Sequence, residues 1–186
     1  MRVIGIVGSP RKGGNTATLV DRILAGAAEA GAETKVYNLN ELNIKGCQAC
    51  GYCKTHDGVC RQKDDMTPIY ADLLASDGIV VGSPIYMSYL TAQTMLFVNR
   101  LYAFLNFGKP STVPPGKKAA LAFSSGGGDE AGYRKVLESL GQVLTNILGV
   151  GVQGVVGGGG NNEPGSVKNK PELLDEAFAL GKSLVG

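Results

Sequence analysis

An α/β fold, with a parallel sheet between two layers of helices, is the architecture this sequence predicts. Three observations carry that reading. Short apolar runs rich in β-branched residues alternate with stretches of helical periodicity along the whole chain. Five such runs and five helical stripes follow one another in turn, and right-handed crossovers turn that alternation into a parallel sheet with helices on both faces. The segments after the strands are rich in Gly, Ser, Asn or Pro. Sheets of this kind have two common strand orders, and both place ligands at the carboxyl ends of the strands, near the point where the order reverses.

The elements follow in sequence. "RVIGIV" (2–7) is a largely β-branched run, as expected of a strand buried on both faces. After a Gly-rich turn, Leu19, Val20, Ile23, Leu24 and Ala27 recur at helical spacing. "ETKVYNL" (33–39) alternates like an outer strand, and a cysteine-rich loop follows. Met66, Ile69, Tyr70, Leu73 and Leu74 mark a second helix before the strand "GIVVGS" (78–83). Ala92, Met95, Leu96, Asn99 and Tyr102 predict a third helix within 91–106, followed by the strand "KKAALAFSS" (117–125). Val136, Leu137, Leu140, Val143, Leu144 and Ile147 form the clearest helical stripe, "VGVQGVV" (150–156) a fifth strand, and residues 171–185 a final helix. The loops expected to carry function are therefore 8–16, 83–91, 124–133 and 157–165.

Composition narrows the function classes. At 186 residues, 44% hydrophobic and 18% charged, the chain reads as one soluble globular domain spanning 1–186. A formal charge of +2 without a basic run argues against a nucleic-acid partner. No apolar run reaches the roughly 18 residues of a membrane span, and "MRVIGIVG" is too short and strand-like for a signal peptide. The expected compartment is the cytoplasm, where thiols stay reduced and structural disulfides are disfavoured.

The first loop, "GSPRKGGNT" (8–16), fits neither common phosphate motif. Gly8 and Gly13 have P-loop spacing, but Gly14 and Asn15 stand where Lys and Ser/Thr are required. Pro10 occupies the second glycine of the dinucleotide pattern, and "GVGVQG" (149–154) matches that pattern only inside a predicted strand. What the loop offers is hydroxyls (Ser9, Thr16), an amide (Asn15), two cations (Arg11, Lys12) and a helix N-terminus. That set suits a terminal phosphate monoester, as in a mononucleotide; an ordinary turn capped by Asn15 or Thr16 would explain one of these residues but not the run. The second loop, "GSPIYMSYLTAQ" (82–93), places Pro84, Tyr86, Met87, Ser88 and Tyr89 where they could cover a flat heterocycle, or form a hydrophobic loop with Thr91 as helix cap. The third, "SSGGGDEAGY" (124–133), allows close backbone approach.

In this order and spacing, "GSPRKGGNT", "GSPIYMSYLTAQ" and the late Gly-rich loop resemble the NADPH-dependent FMN reductase branch of the flavodoxin-like proteins. The compact cysteine loop and "CRQKDDM" (60–66) narrow the resemblance to the iron–sulfur flavoproteins. The resemblance implies a flavodoxin-like three-layer sandwich with strand order 2-1-3-4-5. It implies FMN held at its phosphate by Ser9, Arg11, Asn15 and Thr16, with Lys12 adding charge. Pro84, Ile85, Tyr86, Met87 and Ser88 would lie at the isoalloxazine ring, with Ser125, Gly126 and Gly127 nearby. A homodimer or homotetramer is also implied, with helix 91–106 and the cysteine loop as interface elements.

All four cysteines lie in one loop (46–63), spaced Cys47-x2-Cys50-x2-Cys53-x6-Cys60. The repeated C-x2-C-x2-C brings three thiolates onto one small loop, as in ferredoxins. The ferredoxin fourth ligand is missing, so Cys60 would complete the set through a turn at Asp57 and Gly58, which the family resemblance supports. Ligand count and spacing favour a [4Fe-4S] cluster over a four-cysteine zinc site, whose pairs are normally farther apart; a metal-free loop acting as a lid is the third reading. His56 reads as an exposed loop residue, and Asp64 or Asp65 as the cap of the helix beginning near Met66. The resulting expectation is an electron-transfer flavoprotein working between a reduced donor such as ferredoxin and an acceptor. The alternatives are an NAD(P)H-dependent reductase of FMN, quinones or similar small acceptors with a structural cysteine loop, and a non-enzymatic flavin-binding sensor.

Overall fold

The computed structural model describes all 186 residues. The first apolar run forms β1 (Arg2–Val7), and the Gly-rich turn leads into α1 (Asn15–Glu29). Next come β2 (Glu33–Asn38), the cysteine loop, α2 (Met66–Ala75) and β3 (Gly78–Tyr86). A short β4 (Tyr89–Leu90) folds back on β3 before α3 (Ala92–Arg100). β5 (Lys118–Ser124), α4 (Glu130–Leu148), β6 (Gly151–Gly158) and α5 (Pro171–Ser183) follow.

The strands pair in the order β2-β1-β3-β5-β6, parallel throughout, with β4 antiparallel to the end of β3. Numbered without β4, this is the 2-1-3-4-5 order of a flavodoxin-like sheet. Period-2 alternation divides each central strand between two apolar layers. Val3, Val80, Ala120 and Val156 pack with Leu19, Val20 and Ile23 of α1 and Ala177 of α5. Ile4, Ile6, Val81, Leu121 and Phe123 pack on the opposite face with α2, α3 and α4. Removing a Leu or Ile side chain of this size from water is worth about 1.5–3 kcal/mol, so both layers hold the sheet flat against its helices. No helix is long and apolar enough to cross a membrane.

Two local expectations and one alternative need correction. The expected loop at 83–91 is largely strand: β3 stays paired with β5 through Ser83↔Phe123 and Pro84↔Ser124, then turns tightly at Met87 and Ser88. The buried face of α3 and the turn after it is Thr94, Phe97, Arg100, Leu101 and Phe104, whereas Ala92, Asn99 and Tyr102 of the predicted stripe face outward. Neither Asn15 nor Thr16 caps α1; Gly14 sits at that position and supplies no side-chain bond. The expectation for "GVGVQG" stands, because Gly149 ends α4 and Gly151 begins β6. Thr91 caps α3, as the alternative reading of that loop had it, its hydroxyl oxygen accepting the Thr94 N–H at 3.2 Å.

Candidate functional site

The chain ends of β1, β3, β5 and β6 meet at one edge of the sheet because all four strands run parallel. They enclose a polar cavity of about 240 Å3. Ser9 and Arg11 come from the first loop, and Asn15 and Thr16 from the first turn of α1. Pro84, Ile85 and Tyr86 end β3, Ser124, Ser125 and Gly126 follow from β5, and Asn161 and Asn162 close the ring after β6.

The chemistry of this cavity suits an anion at one end. Gly14 leaves the first turn of α1 without a side-chain cap, and no acidic residue lies in that turn. Its unsatisfied N–H groups and the positive end of the helix dipole are therefore available. Arg11 reaches across the site, Nη1 donating to the Asn162 carbonyl at 2.9 Å. The hydroxyls of Thr16 and Ser124 meet at 2.8 Å in the buried floor. Ser125 Oγ and Asn161 Oδ1 are buried with no hydrogen-bond partner. A buried polar atom left unpaired costs about 1–3 kcal/mol, so these two atoms fit a site that a polar ligand completes. At Gly126 a Cβ would stand 2.0 Å from Asn162 Oδ1, so a larger residue there would displace that side chain.

Nine of the thirteen residues expected at the flavin line this cavity, and four do not. Lys12 points away, its Nζ 3.6 Å from Glu41 and its side chain 91% exposed. Met87 and Ser88 form the exposed hairpin tip, both with left-handed backbone (φ 48° and 61°), because β3 runs on past Ser83. Gly127 is exposed beyond the wall. Asn15 lines the cavity but also builds it: its Nδ2 donates to the carbonyls of Asn161 (3.0 Å) and Glu163 (2.8 Å), and Oδ1 accepts the Val167 N–H (3.1 Å). Ser124, Asn161 and Asn162 were not picked out by sequence reasoning. The signal available was a pair of amides directly after the carboxyl end of a strand.

The cysteines form a second site. Cys47, Cys50, Cys53 and Cys60 all line one narrow cavity of about 20 Å3, together with Gln62, Arg100 and Tyr102. All four are free thiols: Cys47 and Cys50 are exposed, Cys53 is buried, and Cys60 lies between. No three His, Cys, Asp or Glu side chains stand where they could grip one metal ion. The thiols thus share a space without closing on one centre. The turn that returns the chain toward Cys60 uses left-handed backbone at Asp57 (φ 48°) and Gly58 (φ 81°). At Gly58 a Cβ would come within 2.8 Å of Thr112 Oγ1, so glycine serves both the turn and the contact.

Side chains hold this loop against α3. Arg100, only 1% exposed, pairs with Asp64 through Nη1–Oδ2 (2.5 Å) and Nη2–Oδ1 (3.1 Å). Asp64 also accepts the backbone N–H groups of Lys45 (3.1 Å) and Met66 (3.2 Å), which flank the loop. Asp64 therefore caps α2 only in passing, and Asp65 instead accepts the Asn43 N–H at 2.7 Å. Burial pushes the Asp64 carboxyl up, but the bonds from Arg100, Lys45 and Met66 outweigh it and hold the carboxyl below its ordinary range. Lys54 pins the loop further, its Nζ donating to the carbonyls of Tyr102 and Leu105. His56 is exposed and stacked on Tyr52, ring centroids 3.6 Å apart. Arg100 is a site residue the sequence reading passed over. Its one signal was a charge at a core-facing position of α3, which only the correct face assignment reveals. Between α3 and α4, beside Cys47, lies an apolar groove of about 520 Å3 lined by Val98, Leu101, Tyr102, Val143 and Ile147 among others.

Residues 1–159 match the family described as NADPH-dependent FMN reductase. The chain belongs to that family. Over 188 residues it is 32% identical to an iron-sulfur flavoprotein of Methanocaldococcus jannaschii, an alignment covering 99% of this chain and 95% of the relative. Over 142 residues it is 35% identical to an iron-sulfur flavoprotein of Methanosarcina thermophila, covering 75% of this chain and 71% of that one. These matches place it among the iron–sulfur flavoproteins of the family. Among solved structures, the NAD(P)H:quinone oxidoreductase from Methanothermobacter marburgensis superposes with a TM-score of 0.74 at 20% identity, over 99% of this chain and 98% of that one. An FMN-dependent NADH-azoreductase from Bacillus anthracis, in complex with FMN, gives 0.71 at 13% identity over the whole of both chains. At these identities the superpositions speak to the fold. The family match makes this chain a flavin-dependent oxidoreductase.

Proposed function

We propose that the chain binds FMN in the cavity at the carboxyl edge of the sheet and carries a [4Fe-4S] cluster on Cys47, Cys50, Cys53 and Cys60. Its activity would be electron exchange between a reduced donor such as ferredoxin and an acceptor. The observation that carries this reading is the presence of two separate sites on one fold: a polar cavity with orphaned buried donors and acceptors, and a second cavity lined by every cysteine in the chain. FMN supplies an adapter between two-electron and one-electron chemistry, and the cluster a one-electron carrier.

At the first site, Arg11, Ser9, Thr16 and the uncapped start of α1 would hold the phosphate. Pro84, Ile85 and Tyr86 would meet the ring, and Ser125 and Asn161 would find partners on the bound cofactor. At the second site, the donor set supports a cluster over a lone zinc ion. Structural four-cysteine zinc sites normally use two C-x2-C pairs set farther apart, whereas here three cysteines overlap in one C-x2-C-x2-C run and Cys60 follows after six residues.

One observation favours a second reading, an NAD(P)H-dependent reductase of FMN or quinones. No residue of the cysteine loop lines the polar cavity, so that loop leaves the flavin position uncovered for a nicotinamide. A homodimer or homotetramer would cover the apolar groove beside Cys47 in either case.

The experiment is anaerobic purification. The expected product shows flavin bands under a broad shoulder that bleaches with dithionite, and about four irons per chain. Stoichiometric zinc without iron would overturn the cluster. Cys60→Ala should lose iron while retaining FMN, and ferredoxin-driven flavin reduction should slow sharply. Unchanged iron and an unchanged ferredoxin-driven rate would favour the reductase reading.

A further inference from the structure

We propose that Arg100 is a positioning residue for the redox centre: its buried guanidinium holds the Cys60 sulfur and thereby raises the reduction potential of the group on the four cysteines. The inference rests on the cluster reading above and adds a residue that the loop itself does not contain.

The donors of Arg100 can be fully accounted for. A guanidinium has five N–H groups in a fixed fork. Nη1 uses its two on the Lys45 carbonyl (2.8 Å) and Asp64 Oδ2 (2.5 Å), and Nε gives its one to Tyr70 Oη (3.2 Å). Nη2 gives one to Asp64 Oδ1 (3.1 Å), and its remaining donor meets Cys60 Sγ at 3.4 Å. Tyr70 Oη in turn donates to the Arg100 carbonyl at 2.8 Å, locking the side chain onto its own helix. Four bonds thus fix the plane of the guanidinium, and the fifth donor is aimed at a sulfur.

A clamp for the loop would need only the pairing with Asp64. An ion pair with side chains 1% and 7% exposed is costly to bury, and an apolar pair of the same volume would serve stability as well or better. The other cations near the cysteines are placed differently. Arg61 and Lys63 are exposed to solvent, and Lys54 is spent on the carbonyls of Tyr102 and Leu105. Arg100 is the cation withdrawn from water at a cysteine sulfur, where screening is weakest. Hydrogen bonds to ligand sulfurs are among the factors that set cluster potentials. Reduction adds one electron, supplied in the test by dithionite, with no bond made or broken. An N–H donor at the sulfur favours the more negative, reduced form, so the bond raises the potential.

The test is an anaerobic redox titration followed by absorbance and electron paramagnetic resonance, with iron and flavin counted for each protein. The informative variant is Arg100→Met with Asp64→Leu, which removes the pair together and leaves net charge unchanged. A fall in potential then reads the lost N–H···S bond rather than overall charge. The expected result is retained iron and a reduced-to-oxidised ratio about tenfold lower at a given potential, or about 59 mV for a one-electron couple. Arg100→Gln with Asp64→Asn, which keeps polar partners for Lys45 and Met66, should move the potential in the same direction. A wild-type potential in either iron-loaded variant overturns the proposal. Loss of iron from both would leave Arg100 a purely structural clamp and also overturn it. A wild-type protein without iron would instead overturn the cluster reading itself, a different and separable failure.

Discussion

The polar cavity is assembled from the ends of regular elements, whereas the cysteine site is an irregular loop fastened down by side chains. In the first, sheet register decides where Ser9, Pro84, Ser124 and Asn161 fall, and the backbone does most of the positioning. In the second, regular structure is limited to one turn at Tyr52–Lys54, and the loop is held at its base by Arg100–Asp64 and at its middle by Lys54. The difference teaches where each site is vulnerable. A site made by a sheet should survive the loss of one side chain, while a site made by a buried ion pair should not.

The largest expected effect breaks the second site. Arg100→Ala leaves Asp64 buried without its partner, at a cost of about 3–5 kcal/mol. Chemical denaturation should show that loss, and iron should fall far more than flavin in the folded fraction. Equal loss of both would erase the contrast between the sites. The same pair predicts a pH dependence. The folded carboxyl of Asp64 is depressed, so its contribution is complete above the ordinary carboxylate value of about 3.9 and is lost as pH falls through the lower folded value. The stability gap between wild type and Asp64→Asn should therefore narrow below about pH 4.

At the polar cavity the effects should be smaller and confined to the ligand. Arg11→Ala is expected to weaken FMN by about 1.5–3 kcal/mol, one charged hydrogen bond, with little change for riboflavin, which lacks the phosphate. Calorimetry with both ligands distinguishes the outcomes, and equal losses would move Arg11 out of the phosphate end. Smallest of all is Lys12→Ala. With its ammonium beside Glu41 in solvent, this cation should change FMN affinity by less than about 0.5 kcal/mol. An effect matching that of Arg11 would mean that the first loop closes on its ligand with both cations.

Apolar periodicity by itself determined the sheet and its two helical layers, because burial on both faces leaves a period that local sequence must obey. Leu19, Val20, Ile23, Leu24 and Ala27, read as one stripe, are all buried. Cysteine spacing likewise determined that the four thiols would share one loop, and they share one cavity. Tertiary structure alone decided which polar groups meet. Asn15 reaches Asn161 and Glu163 across 146 and 148 positions of sequence, and Arg100 reaches Asp64 and Cys60 across 36 and 40. It also decided that β3 would outrun its predicted end and carry Met87 and Ser88 to an exposed hairpin tip, away from the cavity. Periodicity reports which face of an element is apolar. A hydrogen bond between distant segments depends on distances of a few tenths of an ångström, which arise only when those faces pack.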